Sequence, residues 1–151
     1  MSPAGYSGTP LARKLGIRAG HRVGAVGAPG HLSSLLAPLP ADVRLTADLL
    51  RGGSPPDGSS SDESFDVLLV FARDRRELEE RLGAVKPLLV PDGGLWVAWP
   101  KQSSSLATDL RKGEVRKAGL AAGLVDNKVC AVDEDWSGLR FVYRVEDRPS
   151  A

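Results

Sequence analysis

The chain contains 151 residues with 20 basic and 19 acidic side chains, which gives a net charge of +1, and 42% of its residues are hydrophobic. This length suits one domain with a single buried core, and the near balance of charge lacks the basic excess that marks nucleic-acid binders. The longest apolar runs are too short to span a bilayer, and residues 1–10 have neither the basic flank nor the apolar stretch of a secretion signal. One cysteine and two histidines are too few for a metal site unless carboxylates complete it. We therefore expect a cytoplasmic protein without metal, membrane or nucleic acid as partners.

The first predicted elements are a short helix and a strand. Thr9 and Pro10 are typical of a helix start, and Gly16 is placed to end that helix. Residues 21–26, "HRVGAV", predict a strand that runs into the glycine-rich turn "GAPGH". A short helix within residues 31–39 follows this turn.

The middle of the chain combines a polar insertion with a strongly apolar strand. Residues 42–47 predict a second strand by their alternation. Residues 51–64 are dense in Gly, Pro, Ser and acids, which predicts a flexible surface loop. The continuously apolar residues 65–72 predict a strand buried on both faces of a parallel sheet.

The next segments predict a long helix and a second buried strand. Residues 73–89 place Leu78, Leu82 and other apolar side chains along one helical face. The "PDGG" stretch predicts a turn, and "LWVAW" at residues 95–99 predicts a buried strand.

The last third of the chain predicts a helix and two strands. Thr108 or Asp109 is placed to cap a helix that ends at Gly123. Residues 127–133 and 139–145 read as strands joined by a turn at 134–138. That connection is too short for a parallel crossover, so these strands form an antiparallel hairpin.

The order of elements predicts a three-layer, Rossmann-like α/β fold. It consists of a mostly parallel sheet of about six strands with helices on both faces and a C-terminal antiparallel hairpin. We predict a single domain at residues 9–146, with flexible termini at 1–8 and 147–151.

This order resembles the class I methyltransferase fold over roughly residues 21–145. The passage "FDVLLVFARDRRELEERLGAVKPLLVPDGGLWVAWPK" is similar to the fourth strand, helix and fifth strand of those enzymes. The closing "VDNKVCAVDEDWSGLRFVYRV" is placed like their last two strands. Between the second strand and "FDVLLV" this chain has only the polar loop, where a methyltransferase carries a further strand and helix. The resemblance therefore implies a truncated version of the fold.

At closer range the chain resembles a small uncharacterised family from high-GC bacteria, described only as a protein of unknown function. The residues that carry this resemblance are "GYSGTPLARKLGI", "GGLWVAWPK", "TDL" and "GLVDNKVCAVDEDWSGLRFV". The family implies no established activity and no ligand.

The candidate cofactor-binding residues are Gly27, Gly30 and Asp48. The methyltransferase and Rossmann patterns need glycines at the turn and an acid after the second strand for the ribose, and Asp48 has the expected spacing. However, the glycines are spaced G-x-x-G-x-x-G, Pro29 removes one backbone donor, and no acid precedes the turn. We interpret the turn as structural and expect no cofactor; S-adenosylmethionine binding is the alternative.

The candidate ligand or partner site is a rim at the carboxyl ends of the strands, where open α/β sheets bind ligands. Lys101, Asp109, Asp133 and Trp136 follow predicted strands or begin a helix there. Lys101 and Asp133 alternatively pair with each other, and Trp136 alternatively packs back onto the protein.

We identify no catalytic residues, because Ser103–Ser105 lack a base and an orienting acid. The sequence thus favours a non-catalytic binding or regulatory protein with an unidentified protein or small-molecule partner. A minimal S-adenosylmethionine-dependent methyltransferase is the alternative.

Overall fold

The computed structural model describes residues 11–28, 30, 32–37, 39–46, 64–102, 104–105, 108, 110–132 and 135–143. The predicted flexible termini and nearly all of the predicted loop at 51–64 lie outside these residues. The described elements are, in chain order, α1 (Leu11–Lys14), β1 (Arg22–Val26), α2 (Leu32–Leu36), β2 (Arg44–Thr46), β3 (Phe65–Phe71), α3 (Arg75–Val85), a 3₁₀ turn (Lys86–Leu88), β4 (Leu89–Pro100), α4 (Lys112–Ala121), β5 (Leu124–Ala131) and β6 (Trp136–Tyr143).

The described strands form one sheet in the order β2-β1-β3-β4-β6-β5. The first four strands are parallel, and β6 runs antiparallel to both β4 and β5. The prediction of a mostly parallel sheet with a C-terminal antiparallel hairpin is therefore confirmed. The strand "FDVLLVF" lies inside the sheet, as its continuous apolar run predicts.

Helices cover both faces of the sheet and bury two separate cores. Alternation along β3 sends Leu68 and Val70 into the core under α3 and α4, and Leu69 and Phe71 into the core under α1 and α2. Both cores consist of side chains that are less than a tenth exposed. This is the three-layer arrangement that the sequence predicts.

The end of α1 is held by local and distant hydrogen bonds. Gly16, with φ of +83°, donates to the Arg13 carbonyl at 3.0 Å, and Ile17 donates to the Ala12 carbonyl at 2.9 Å. This pair of bonds is the glycine-based helix end that the sequence predicts. The buried indole nitrogen of Trp96 then donates to the Leu15 carbonyl at 3.0 Å, which ties α1 to β4.

Two local predictions are wrong. The "PDGG" stretch does not turn the chain but lies within β4, because β3 advances from Phe65 to Val67 while β4 advances from Leu89 to Gly94, and the extra residues form a bulge. Thr108 does not cap α4, whose N-cap is Arg111 with no side-chain cap bond.

Candidate functional site

The two candidate glycines in the turn after β1 have different surroundings. Gly27 adopts φ of +68°, and a Cβ added there would lie 2.4 Å from Nη1 of Arg81 and 2.9 Å from the carbonyl oxygen of Phe71. A Cβ at Gly30 would meet nothing within 4 Å. Gly27 is therefore required both by its backbone conformation and by the close approach of a neighbouring side chain.

The Arg81 side chain is held by a series of polar contacts at the carboxyl end of β3. Arg81 donates to the Phe71 carbonyl at 2.5 Å, and its other guanidinium nitrogen lies 3.6 Å from the Glu77 carboxylate. Glu77 also accepts from the backbone nitrogen of Arg73 at 2.9 Å, while its own backbone donates to Asp74, the N-cap of α3. We call Arg73, Asp74, Glu77 and Arg81 the α3 cluster. Of this cluster, Arg81 lies directly against Gly27 in the glycine turn.

Part of the rim at the carboxyl ends of the strands lies among the residues that the structure describes. The backbone nitrogen of Lys101 donates to the Asp135 carbonyl at 2.8 Å, and the Ser104 hydroxyl donates to the Asp135 carboxylate at 2.8 Å. The Thr108 hydroxyl donates to the Arg73 carbonyl and accepts from the backbone of Leu110. The segment after β4 is thus bonded to the segments that follow β3 and β5.

Trp136 lies at the predicted edge, paired with Pro100 at the end of β4, but it is not the exposed aromatic of a turn. It begins β6 and is 4% exposed, with its ring packed edge-on against Phe71 at a centroid distance of 5.1 Å. Of the two roles that the sequence leaves open for Trp136, the structure shows packing, because the apolar face under α1 and α2 extends to this residue. Asp48, Asp109 and Asp133 lie outside the described residues.

A polar cavity of about 410 Å³ lies at the opposite edge of the sheet, between the end of α1 and the amino ends of the parallel strands. We call it the amino-edge cavity. Three lining residues place the cavity at this edge: Asp66 lies near the start of β3, Gly94 in the first half of β4, and His21 just before β1. The lining of the cavity also contains the five cationic side chains Arg13, Lys14, Arg18, Lys128 and Arg140.

The hairpin brings two of these cations together. Lys128 of β5 pairs directly with Arg140 of β6, after a register shift that leaves Asn127 as the extra residue. The Arg140 guanidinium lies over Gly94, where an added Cβ would be 2.4 Å from Nε. A glycine at position 94 is therefore what lets the side chain lie along the sheet.

Burial shifts the pKa of two ionisable groups beside this cavity. Desolvation lowers the pKa of the Arg140 guanidinium, although arginine keeps its charge. Burial raises the pKa of the neighbouring Cys130 thiol, against the opposing charges of Lys128 and Lys14. Cys130 is therefore a protonated thiol at neutral pH, as its predicted place within a strand suggests.

Within the described part of the chain, no group of three or more His, Cys, Asp or Glu side chains is arranged to hold a metal ion. No helix among the described residues is long and apolar enough to cross a membrane.

The strand order and the glycine turn together define a Rossmann-like fold of the methyltransferase type. The chain belongs to the family described as "Protein of unknown function (DUF3052)", whose model matches residues 52–145. No curated protein sequence matches the chain. An origin in high-GC bacteria stays a prediction.

Solved structures with this fold include several methyltransferases. TrmN from Thermus thermophilus is 16% identical with a TM-score of 0.57, and the alignment covers 89% of this chain and 47% of that one. Magnesium protoporphyrin IX methyltransferase from Synechocystis with bound SAM is 14% identical with a TM-score of 0.58 and coverages of 89% and 74%. A SAM-dependent methyltransferase from Aquifex aeolicus is 14% identical with a TM-score of 0.56 and coverages of 87% and 86%. The chain spans about half the length of TrmN, and identities this low show the fold alone.

Proposed function

We propose that this chain is a non-catalytic binding or regulatory protein of the cytoplasm, built on a methyltransferase-like fold without using S-adenosylmethionine. The observation that carries the proposal is the position of Arg81 against Gly27. In nucleotide sites of this architecture, a glycine at the turn allows the ligand to approach the backbone. Here the close approach at Gly27 is made by the protein's own guanidinium.

A ligand seated against Gly27 would have to displace Arg81. That movement would break the bond to the Phe71 carbonyl and separate Arg81 from Glu77, two contacts made by a side chain that is 28% exposed. The sulfonium of S-adenosylmethionine is itself a cation, so a guanidinium beside the turn disfavours it electrostatically. The absence of an acid ahead of the glycines has the same effect.

The partner site that we propose is the rim at the carboxyl ends of the strands, with Lys101, Asp109 and Asp133 as its polar residues. Its support is the bonding of Lys101 and Ser104 to Asp135, which holds the segment after β4 in one position. Rigidly positioned loops on an α/β scaffold are common sites of recognition. In the proposed site, Trp136 supports the rim from within the core.

The alternative is a minimal S-adenosylmethionine-dependent methyltransferase. It is favoured by the similarity of fold to the Synechocystis methyltransferase solved with bound SAM and by the spacing of Asp48 from the turn. Arg81 would then serve the carboxylate of the cofactor's amino-acid group.

Calorimetric titration of the full chain with S-adenosylmethionine separates the two functions. We expect no saturable binding, because the space at Gly27 is occupied by Arg81. Saturable micromolar binding would overturn the proposal, and its loss in Asp48→Ala would establish the ribose-binding acid of the alternative. As a control, Arg76→Ala changes an exposed residue of α3 and should leave S-adenosylmethionine binding as it is in the unchanged protein.

A further inference from the structure

The amino-edge cavity concentrates positive charge in a chain whose net charge is only +1. Its lining carries five cationic side chains against the single carboxylate of Asp66. Apart from Lys14, these cations form no ion pair with any described residue. Asp66 uses one carboxylate oxygen to accept from the backbone of Arg22 at 2.9 Å. The described lining therefore contains more cationic side chains than carboxylates.

The pairing of Lys128 with Arg140 is the most informative part of this lining. Like charges directly opposite each other on neighbouring strands destabilise a sheet. Lys128 donates to the carbonyl of Lys14 at 3.2 Å, whereas the Arg140 guanidinium makes no hydrogen bond to a described residue. This guanidinium is also partly desolvated, which lowers its pKa. An anion between the two side chains would convert this repulsion into attraction.

Two hydrogen bonds hold the backbone that carries Arg13, Lys14 and Arg18. The buried bond from Trp96 to the Leu15 carbonyl anchors the segment that carries Arg13 and Lys14. The backbone nitrogen of Arg18 donates to Nδ1 of His21 at 3.1 Å. A backbone that is already ordered lowers the entropic cost of binding.

We propose that the amino-edge cavity binds the phosphate groups of a small molecule that carries two or more phosphates. Guanidinium groups match phosphate oxygens with paired hydrogen bonds, and several cations within one cavity suit a multiply charged anion. The volume of about 410 Å³ falls in the usual range of small-molecule sites, about 300–1,000 Å³. No Phe, Tyr or Trp occurs among the described residues that line it, so the phosphates provide the recognition.

This site is independent of the function proposed above, because it lies at the opposite edge of the sheet from the glycine turn. Binding of phosphates at the amino ends of the strands neither requires nor excludes a ligand at the carboxyl ends. Failure of one proposal therefore leaves the other standing.

Isothermal titration of the full chain with inorganic pyrophosphate, inorganic triphosphate and ATP, in a buffer of low ionic strength, tests the proposal. We expect saturable binding at one site, with at least a tenfold loss of affinity in Arg140→Gln. Arg76→Gln removes the same charge from an exposed position and should change affinity less than twofold. Gly94→Ala, which displaces the Arg140 side chain, should weaken binding as Arg140→Gln does. Tighter binding of ATP than of inorganic triphosphate would show that the nucleoside contributes to recognition, and equal binding would assign recognition to the phosphate groups themselves.

Urea unfolding provides the second measurement. Arg140→Gln relieves the repulsion from Lys128, so without ligand its midpoint should equal or exceed that of the unchanged protein. At the same concentration, pyrophosphate should raise the midpoint of the unchanged protein more than that of the variant. No saturable binding of pyrophosphate or ATP would overturn the proposal, as would an equal loss in Arg76→Gln. Arg140-dependent binding of a duplex oligonucleotide without binding of pyrophosphate would replace it with a nucleic-acid surface.

Discussion

At the scale of single residues, Gly27 and Gly30 show that a glycine pattern does not predict what lies next to each glycine. Both belong to the same turn, yet only Gly27 has a positive φ and a neighbour where a Cβ would stand. The neighbour is Arg81, more than fifty residues further along the chain. The positive φ could be anticipated from the turn, whereas the packing of Arg81 depends on how α3 lies over the sheet.

Replacement of these two glycines should therefore have unequal effects. Gly27→Ala forces a strained backbone and a contact with Arg81, and we expect a loss of about 1–3 kcal/mol in the free energy of unfolding. Gly30→Ala should change the same quantity by less than about 0.5 kcal/mol. Urea denaturation of both variants measures the difference. Equal losses would show that the turn does not depend on the approach of Arg81.

The cationic residues of the amino-edge cavity come from distant parts of a chain of nearly balanced charge. Arg13 and Arg18 lie in the first 41 residues, which contain no acid, whereas Lys128 and Arg140 lie more than a hundred residues later. They meet because α1 returns to the sheet and because a register shift at Asn127 aligns Lys128 with Arg140. Neither the docking of a four-residue helix nor a bulge is encoded by hydrophobic periodicity.

At the scale of elements, the apolar pattern predicted each described strand but not its bounds. Continuous apolar runs located β3 and the buried part of β4, because burial on both faces of a parallel sheet demands them. The β5–β6 hairpin was predicted several residues too late, since its tight connection was assigned to the segment containing Trp136. The rim stays a prediction, and of its residues Trp136 belongs to the core because tertiary packing extends β6 to it.

Trp136→Ala tests this packing. Removal of a buried indole that contacts Phe71 should cost about 3–5 kcal/mol in the free energy of unfolding. Lys101→Ala, at the end of the neighbouring strand, should cost less than about 0.5 kcal/mol. Thermal and urea unfolding give both values. A loss below about 1 kcal/mol for Trp136→Ala would contradict a place in the core.

The end of β6 is joined to the turn after α3 through Tyr143. Its hydroxyl donates to the Lys86 carbonyl at 2.9 Å, and the Lys86 ammonium lies 5.7 Å from the centre of its ring. The Lys86 ammonium also donates to the carbonyl of Ala122 at the end of α4. Lys86 thus links the end of β6 to the end of α4. Burial raises the pKa of the Tyr143 phenol above the ordinary value of 10.0.

The raised pKa of Tyr143 predicts a loss of stability at alkaline pH. The stability contributed by the protonated phenol is complete below pH 10 and is lost as the pH rises through the higher pKa of the folded state. Relative to Tyr143→Phe, the unchanged protein should be more stable by about 1 kcal/mol at pH 8. This advantage should shrink or reverse in urea titrations above pH 10. An advantage that stays constant with pH would contradict the raised pKa.

For the molecule as a whole, the long connection between β2 and β3 sets a geometric requirement. Both strands flank β1 and run parallel to it, so the connection must return from the carboxyl to the amino edge of the sheet. A return along a strand of seven residues, the length of β3, spans roughly 23 Å at about 3.3 Å per residue. Residues 47–64 exceed this need.

Deletion of residues 54–59 should therefore leave the fold intact. The twelve residues that remain of the connection can still span about 40 Å when extended. Loop-closure entropy changes the free energy of unfolding by less than about 0.5 kcal/mol for such a shortening. Comparison of urea midpoints measures the change. A loss of more than about 1 kcal/mol would mean that the segment packs against the domain or holds a ligand.

The interior place of β6 in the strand order determines when the sheet can be completed during synthesis. β5 is made before β6, yet in the sheet it pairs only with β6, and the free side of β4 waits for the same strand. Until residues 136–143 leave the ribosome, the nascent protein therefore presents two open sheet edges of the kind that favour misassociation. Ribosomes add about 5–20 residues per second, so the interval between these strands is short. A chain stalled or cut just before β6 would keep those edges open indefinitely.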